Sequence, residues 1–342
     1  MLDSYGREVD YLRISITDKC NLRCRYCMPE DIKHVPMNEI LSFEEIVLIA
    51  EVAAGLGIKH IKITGGEPLV RKDAPGLIRM LKNVPGIEEV TLTTNGILLS
   101  DYLDDIINAG IDGINISLDT LNRDAYKLIT GRDELDRVMN SIEKAQRSGV
   151  RLKLNAVSFD WEKLNIRADN GDYPAAIKNV DNIISLIELT RDSRMDVRFI
   201  ELMPIGFGKD FPSISHKELY NMIKSRYERL DIDESRHGNG PAVYYRIPGY
   251  LGCVGFISAI HGVFCAGCNR IRLTTKGYLK SCLCYDGVYN AKEIIRSEEP
   301  DQIKRERLGM MLENVIKQKP KAHSFLSDAG ITEKQAMSEI GG

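Results

Sequence analysis

The sequence predicts an α/β protein, a parallel β-sheet with helices packed on its outside, followed by a smaller α+β region. Three observations carry this. Six short β-branched runs alternate with amphipathic stretches over residues 11–201. Parallel strands need long, usually helical crossovers, and the intervening stretches supply them. After Met203 the rhythm breaks at PIGFGKDFPSIS, a Gly-, Pro- and Ser-rich linker.

The strand-like runs are 11–16, 60–64, 90–94, 113–117, 151–157 and 196–201. Between the first two, Ser42-Phe-Glu-Glu45 has the form of a capping box that opens a helix. Gly57, Gly110 and Gly149 stand where helices should end, because glycine tolerates the left-handed conformation of a C-terminal cap. The segment 160–174, DWEKLNIRADNGDYP, carries the only tryptophan and reads as a loop insertion. Beyond the linker come strand-like AVYYRI, CVGFIS, RIRLTT and YLKSCL, then a charged helix over about 301–318 and a polar tail ending in Gly341-Gly342. The sheet so described could be open and doubly wound, or curved into a full or partial barrel.

Composition narrows the function. A net charge of −3 gives no electrostatic reason for general nucleic-acid or membrane binding. The charged start, MLDSYGREVD, is not a secretory signal, and no apolar run has the length of a membrane span. A cytoplasmic protein is expected, in which clustered thiols are metal ligands more often than disulfides. Isolated Cys253 suits a buried small hydrophobe.

In parallel α/β folds chemistry collects in the loops after the strands' C-terminal ends. CNLRCRYC, with Cys20, Cys24 and Cys27, follows the first strand. Gly65-Gly66-Glu67-Pro68 follows the second, Thr94-Asn95-Gly96 closes the third, and Ser117 closes the fourth. A closed zinc site needs a fourth ligand, and the nearest histidine is His34. Three thiolates suit a four-iron cluster that leaves one iron open to an exogenous ligand. A second set lies in FCAGCNRIRLTTKGYLKSCLC, where Cys265 and Cys268 are joined by Cys282 or Cys284. By spacing alone this set reads equally as a zinc ribbon.

The strands also carry cations between apolar neighbours: Arg13, Lys62, Lys153 and Arg198. Strand alternation sends each to the face opposite its neighbours, hence into the interior if the apolar face meets the helices. Arg270 and Arg272 share a face in the same way. Several buried cations require an anionic partner, and a small polyanion is expected.

The C-x3-C-x2-C spacing with Tyr26 and the downstream GGEP resembles the radical S-adenosylmethionine enzymes. GREVDYLRISITDKCNLRCRYCMP, ITGGEPLVRKD, FIELMPIG, the FCAGCNRIRLTTKGYLKSCL stretch and the final GG together resemble the GTP 3′,8-cyclase family of molybdenum-cofactor biosynthesis, over nearly the whole chain. The resemblance implies a partial (β/α)6-type TIM-like barrel, residues 1–203, a linker over 204–216, and a smaller C-terminal α+β domain, 217–342, covering the open side.

It implies two [4Fe–4S] clusters, one on Cys20, Cys24 and Cys27, the other on Cys265, Cys268 and Cys282, with Cys284 spare. S-adenosyl-L-methionine would lie against Tyr26, Gly65, Gly66, Glu67, Ser117 and Met203. GTP would meet Arg13, Lys62, Thr93, Lys153, Arg198, Arg270 and Arg272, and the Gly341-Gly342 tail would reach the site. A 5′-deoxyadenosyl radical would take the ribose 3′ hydrogen, and C3′ would add to guanine C8. The implied partners are GTP, a flavodoxin- or ferredoxin-like one-electron reductant, the downstream cyclic pyranopterin monophosphate synthase, and a second copy of the chain; nucleic acid and membrane are not among them. Three features depart from the family pattern: His60 where relatives often have lysine, the longer 160–174 segment, and a short 29–41 connection. A zinc-bound interaction protein and a peptide-modifying radical enzyme are the rival readings.

Overall fold

A computed structural model describes residues 1–28, 32, 34–164, 177–261, 264–287, 289–325, 331–333 and 337–340. In chain order the strands and helices are β1 (Tyr11–Ser15), α1 (Phe43–Gly55), β2 (His60–Thr64), α2 (Ala74–Lys82), β3 (Glu89–Thr94), α3 (Leu99–Asn108), β4 (Gly113–Ser117), α4 (Arg123–Thr130), α5 (Leu135–Ser148), β5 (Leu152–Val157), α6 (Asn179–Glu188) and β6 (Asp196–Ile200). Then follow α7 (His216–Arg226), β7 (Asp231–Asp233), β8 (Val243–Arg246), β9 (Val254–Ile257), β10 (Arg270–Leu273), β11 (Tyr278–Lys280), β12 (Tyr289–Asn290), α8 (Ala291–Ile295), α9 (Asp301–Lys317) and α10 (Met337–Ile340). The 160–174 insertion and the 29–41 connection fall largely or partly outside the described residues, as do Gly341 and Gly342.

The six expected strands form a parallel sheet in sequence order. Their ends are fixed by local chemistry. Ser42 caps α1, its hydroxyl accepting from the Glu45 amide at 3.2 Å while Glu45 accepts from the Ser42 amide at 2.6 Å. Gly149 ends α5 at φ 76°, a left-handed cap that lets the chain turn straight into β5.

The C-terminal strands join this same sheet at both edges. β9 pairs parallel with β6 and is followed outward by antiparallel β8 and β7. β10 pairs parallel with β1 and is followed by β11 and β12. The result is one twelve-stranded sheet, ordered β12-β11-β10-β1-β2-β3-β4-β5-β6-β9-β8-β7, that does not close on itself among the described residues.

Every second strand residue packs outward against the helices. Leu12, Ile14, Ile61, Ile63, Val90, Leu92, Ile114, Ile116, Leu152, Leu154, Val197 and Phe199 all lie in one buried apolar layer. The layer continues under α9 through Leu308, Leu312, Val315 and Ile316, the spacing of one helical face. Because the outward positions are apolar, the polar residues between them face the interior. Among the described residues no helix is long and apolar enough to cross a membrane.

Candidate active site

Strand register turns the alternation into a ring. Arg13 of β1 stands opposite Arg272 of β10 on one side and Lys62 of β2 on the other. Lys62 faces Thr91, Thr93 faces Asn115, and Asn115 faces Lys153. Asn155 faces Arg198, which in turn stands beside Gly255. At Gly255 a Cβ would lie 2.9 Å from both the Arg198 Cγ and the Tyr244 ring, so glycine is what lets those two side chains reach inward. Arg13, Lys62, Thr93, Lys153, Arg198 and Arg270 line a cavity of about 690 Å³, counted to its open mouth.

The cavity is electrostatically prepared for an anion. Burial, then Arg198, Arg13 and Lys153, push the Lys62 ammonium well below its ordinary value. Lys153 is pushed down to about 7 by burial and by Arg198, with Asp196 opposing. Arg13 falls to about 10 through burial and the neighbouring Arg270 and Arg198. Arg272 is placed differently from the other cations: it is absent from the cavity lining, and the charges beside it are Arg13, Arg270, Cys282 and Cys268. His60, the departure from the family's lysine, lies buried between Asp10 at 3.6 Å and Glu89 at 3.5 Å and does not line the cavity either.

The strands' N-terminal end of the cavity is floored by a loop the sequence reading passed over, His237-Gly-Asn-Gly-Pro241. Lys153 donates to the His237 carbonyl and, at 3.2 Å, to the Tyr244 hydroxyl. The Asn239 amide donates to Glu89, and the His237 ring stacks on Tyr244 with its Nδ1 2.8 Å from Asp196. Asp196, His237 and Cys253 bring three ligand-type atoms within 4.8 Å of one another. Asp196 is already engaged by His237 and the Cys253 amide, and Lys153 stands 3.8 Å away, so this cluster acts as a hydrogen-bond network that anchors the loop. The same parity rule that selects the cations would have found Asn115 and Asn155; the loop's glycines were the available signal for the rest.

Cys20, Cys24 and Cys27 leave the C-terminal end of β1. Burial raises Cys24 well above its ordinary value, and Cys27 and Cys20 beside it raise it further, which marks the three thiols as neighbours. Cys20 is pushed up to about 11, chiefly by burial. Such thiols ionise only with a cation among them, as metal ligands do. The histidine nearest in sequence, His34, has its Nδ1 3.1 Å from Asp18. With no closed four-donor set at these thiols among the described residues, they fit an iron–sulfur cluster with an open iron better than a closed zinc site.

The GGEP loop packs backbone to backbone on the segment leading into Cys20. The Gly66 amide donates to the Thr17 carbonyl at 2.7 Å and the Glu67 amide to the Lys19 carbonyl at 2.8 Å. A Cβ at Gly65 would meet the Thr17 oxygen at 2.7 Å, and one at Gly66 the Lys19 oxygen at 2.5 Å. The chain's own close approach therefore demands both glycines. Gly66→Ala should cost about 1–3 kcal/mol of overpacking and displace the Cys20 loop. The expected result is a lower melting temperature together with less iron retained at this site.

Glu67 is fully buried, accepting from the Asn95 amide at 2.6 Å, the Leu69 amide at 3.0 Å and the Thr94 hydroxyl at 2.8 Å. It braces the Thr94–Asn95 turn, whose Asn95 side chain reaches Cys20 at 3.7 Å. Tyr26 donates to Asp119 at 2.9 Å and packs edge-on against Phe159 and Phe211. Ser117 ends β4 on the same sheet edge, and Met203 packs against the buried cluster that contains Ile205. Asp119, two residues beyond Ser117, was not singled out by the sequence.

The second set sits at the opposite level of the sheet. Cys265 and Cys268 precede β10, whose Arg270 is registered with Tyr11 at the start of β1, and Cys282 follows β11. Burial raises Cys265, with Cys282 and Cys268 as its charged neighbours. Burial would raise Cys268 as well, but Lys319 and Arg270 bring it down to about 7. Cys284 is fully buried among Ile205, Leu283, Phe325 and Ile340 and accepts from the Ser324 amide at 3.4 Å, the environment of a core residue. Again three thiols converge, now beside cations.

Two family models match the chain, Radical SAM superfamily over residues 14–163 and Molybdenum Cofactor Synthesis C over residues 195–325. Among curated proteins, the GTP 3′,8-cyclase of Clostridium perfringens (strain 13 / Type A) is 41% identical over 343 residues, covering 100% of both chains. Those of Desulforamulus reducens and Alkaliphilus metalliredigens are 39% and 42% identical over 346 and 347 residues, again with 100% of both chains covered. Among solved structures, Streptococcus suis SuiB bound to S-adenosylmethionine superposes with a TM-score of 0.64 at 14% identity, over 97% of this chain and 78% of that one, a likeness of fold.

Proposed function

The chain belongs to the GTP 3′,8-cyclase family, and from that premise we propose that its polycationic cavity binds GTP and that it converts GTP to (8S)-3′,8-cyclo-7,8-dihydroguanosine 5′-triphosphate, the first step of molybdenum-cofactor biosynthesis. The observation that carries this is the registered ring of interior cations, Arg13, Lys62, Lys153 and Arg198, lying between two separate thiol sets. Cys20, Cys24 and Cys27 would hold one [4Fe–4S] cluster, and Cys265, Cys268 and Cys282 the other. With S-adenosyl-L-methionine bound, the first cluster would supply, on one-electron reduction, the 5′-deoxyadenosyl radical chemistry by which the ribose loses its 3′ hydrogen to 5′-deoxyadenosine and C3′ bonds to guanine C8, with one further electron from the external donor and a proton completing the dihydro product.

The chain's own residues supply placement. Lys62, Lys153, Arg13 and Arg198 supply the positive charge that a bound triphosphate would neutralise. Thr93, hydrogen-bonded to Asn115 at 3.4 Å, offers a hydroxyl on the same wall. Arg270 and Arg272 stand between that wall and the second thiol set, where the guanine end would lie. Tyr26, Gly65, Gly66, Glu67, Ser117 and Met203 shape the cofactor's end, and Gly341 and Gly342 belong to the tail read as reaching the site. Holding both reactants in one cavity makes the hydrogen transfer effectively intramolecular.

In this reading residues 1–203 carry the first cluster, 204–216 link, and 217–342 supply the second cluster and the tail. The electron comes from an external flavodoxin- or ferredoxin-like donor, and the product passes to cyclic pyranopterin monophosphate synthase. Clusters held by reduced thiols suit the cytoplasm. A homodimer is carried over from the family.

Binding should be linked to protons. Lys153, at about 7 in the ligand-free protein, is partly neutral at neutral pH, and a bound triphosphate would restore its charge. GTP binding then takes up a proton, and affinity falls as pH rises above 7, by at most about tenfold per unit for one such group. Calorimetry in buffers of different ionisation enthalpy reads that uptake, and Lys153→Met should flatten it.

The deciding experiment is an anaerobic incubation of the iron-reconstituted, dithionite-reduced protein with S-adenosylmethionine, with and without GTP, followed by mass spectrometry. The expected products are 5′-deoxyadenosine and a GTP isomer of unchanged mass. 5′-Deoxyadenosine with intact GTP would overturn the substrate assignment. Neither product from iron-loaded protein would overturn the radical chemistry.

A further inference from the structure

Lys319 follows the end of α9 and is 3% exposed, yet among the described residues no carboxylate pairs with it. A second buried lysine in the same region, Lys280, has the Glu333 carboxylate as its partner. A buried ammonium without a nearby anion is strongly disfavoured, which turns attention to the groups that meet Lys319 among the described residues.

Its contacts identify those groups. The Lys319 ammonium donates to the Arg270 carbonyl at 2.8 Å and to the Ser281 carbonyl at 2.7 Å. Arg270 lies just beyond Cys268 and Ser281 just before Cys282, so one ammonium bridges the two segments that carry the second thiol set. The Cys268 thiol lies beside the same ammonium, whose charge helps to bring it down. The lysine is also held in place from behind. Arg7 donates to the carbonyls of Pro320 at 2.7 Å, Lys321 at 3.1 Å and Cys265 at 2.8 Å, clamping the lysine's backbone to the Cys265 loop.

We propose that Lys319 is the built-in counter-charge of the second cysteine set, a positioning residue that ties its two segments together and holds the cluster there at a less negative reduction potential. The inference rests on reading Cys265, Cys268 and Cys282 as the ligands of a second [4Fe–4S] cluster. A fixed cation beside a thiolate-ligated cluster favours its more negative, reduced form, which is one way a protein tunes such a potential.

The test uses the full chain with Cys20, Cys24 and Cys27 replaced by alanine, so that only the second cluster remains, and follows it by a redox titration monitored by electron paramagnetic resonance. Lys319→Gln removes the charge and keeps a hydrogen-bond donor; Lys319→Met removes both. Both variants are expected to titrate at more negative potential than the parent, Lys319→Met by the larger shift. A Lys319→Gln protein with full iron and the parent's potential would overturn the proposal. Loss of iron from a Lys319→Gln protein that still melts at the parent's temperature would support it, whereas loss of iron with a lowered melting temperature would reduce Lys319 to a structural role and overturn it. A parent that binds zinc and shows no cluster signal would overturn the cluster reading itself.

Discussion

Lys62→Met should weaken GTP binding by about a hundredfold while making the ligand-free protein more stable. Lys62 is 7% exposed, sits among Arg198, Arg13 and Lys153, and among the described residues has no carboxylate partner. Its ammonium is depressed in the folded state by burial first and by those cations second. A basic group whose folded value lies below its unfolded value costs stability at neutral pH, and that cost disappears as pH rises toward the unfolded value. Methionine fills a similar volume without charge, and replacing a buried charge by a well-packed apolar side chain gains about 1–4 kcal/mol in comparable sites. Removing one charge-assisted phosphate contact costs about 2–5 kcal/mol of binding. The two effects therefore have opposite signs. Thermal melting with and without GTP separates them, and a variant that loses both binding and stability would show that Lys62 is structural.

Cys20→Ala and Cys282→Ala should fail at different steps. Loss of Cys20 removes one of only three thiols at the β1 loop, and 5′-deoxyadenosine should fall to background with or without GTP. Cys282 follows β11, at the far level of the sheet from the Cys20 loop. Its alanine variant should keep measurable cofactor cleavage and lose the cyclised product. Nucleoside analysis by mass spectrometry reads both, and intact cyclisation in Cys282→Ala would remove the second cluster from the reaction.

Much of this was legible in the chain because it depends on local rules. β2 and β4 occupy the expected residues, and the other four strands differ by one residue at an end. The inward cations follow from two-residue alternation, which needs no knowledge of neighbours. What was not legible depends on pairing across long separations. Alternation shows that Arg272 faces inward, but only its place on β10, next to β1, puts it among both Arg13 and Arg270 and the thiols of Cys282 and Cys268. The His237–Pro241 floor is invisible to periodicity, because it is a loop held by Lys153 and Glu89 from distant strands. The GGEP glycines were expected to admit a cofactor, and they also answer to a nearer demand, the backbone of the Cys20 segment.

The two-edged sheet also constrains how this protein is made. β1 emerges early in synthesis, but the strand that covers its outer side, β10, comes from the last quarter of the chain. β6 must likewise wait for β9. Until then a growing chain presents two uncovered parallel edges, which are sites for mispairing with other chains. Contacts this distant in sequence form slowly. A chaperone-poor cell should therefore accumulate more of this protein as aggregates of nascent or newly released chains.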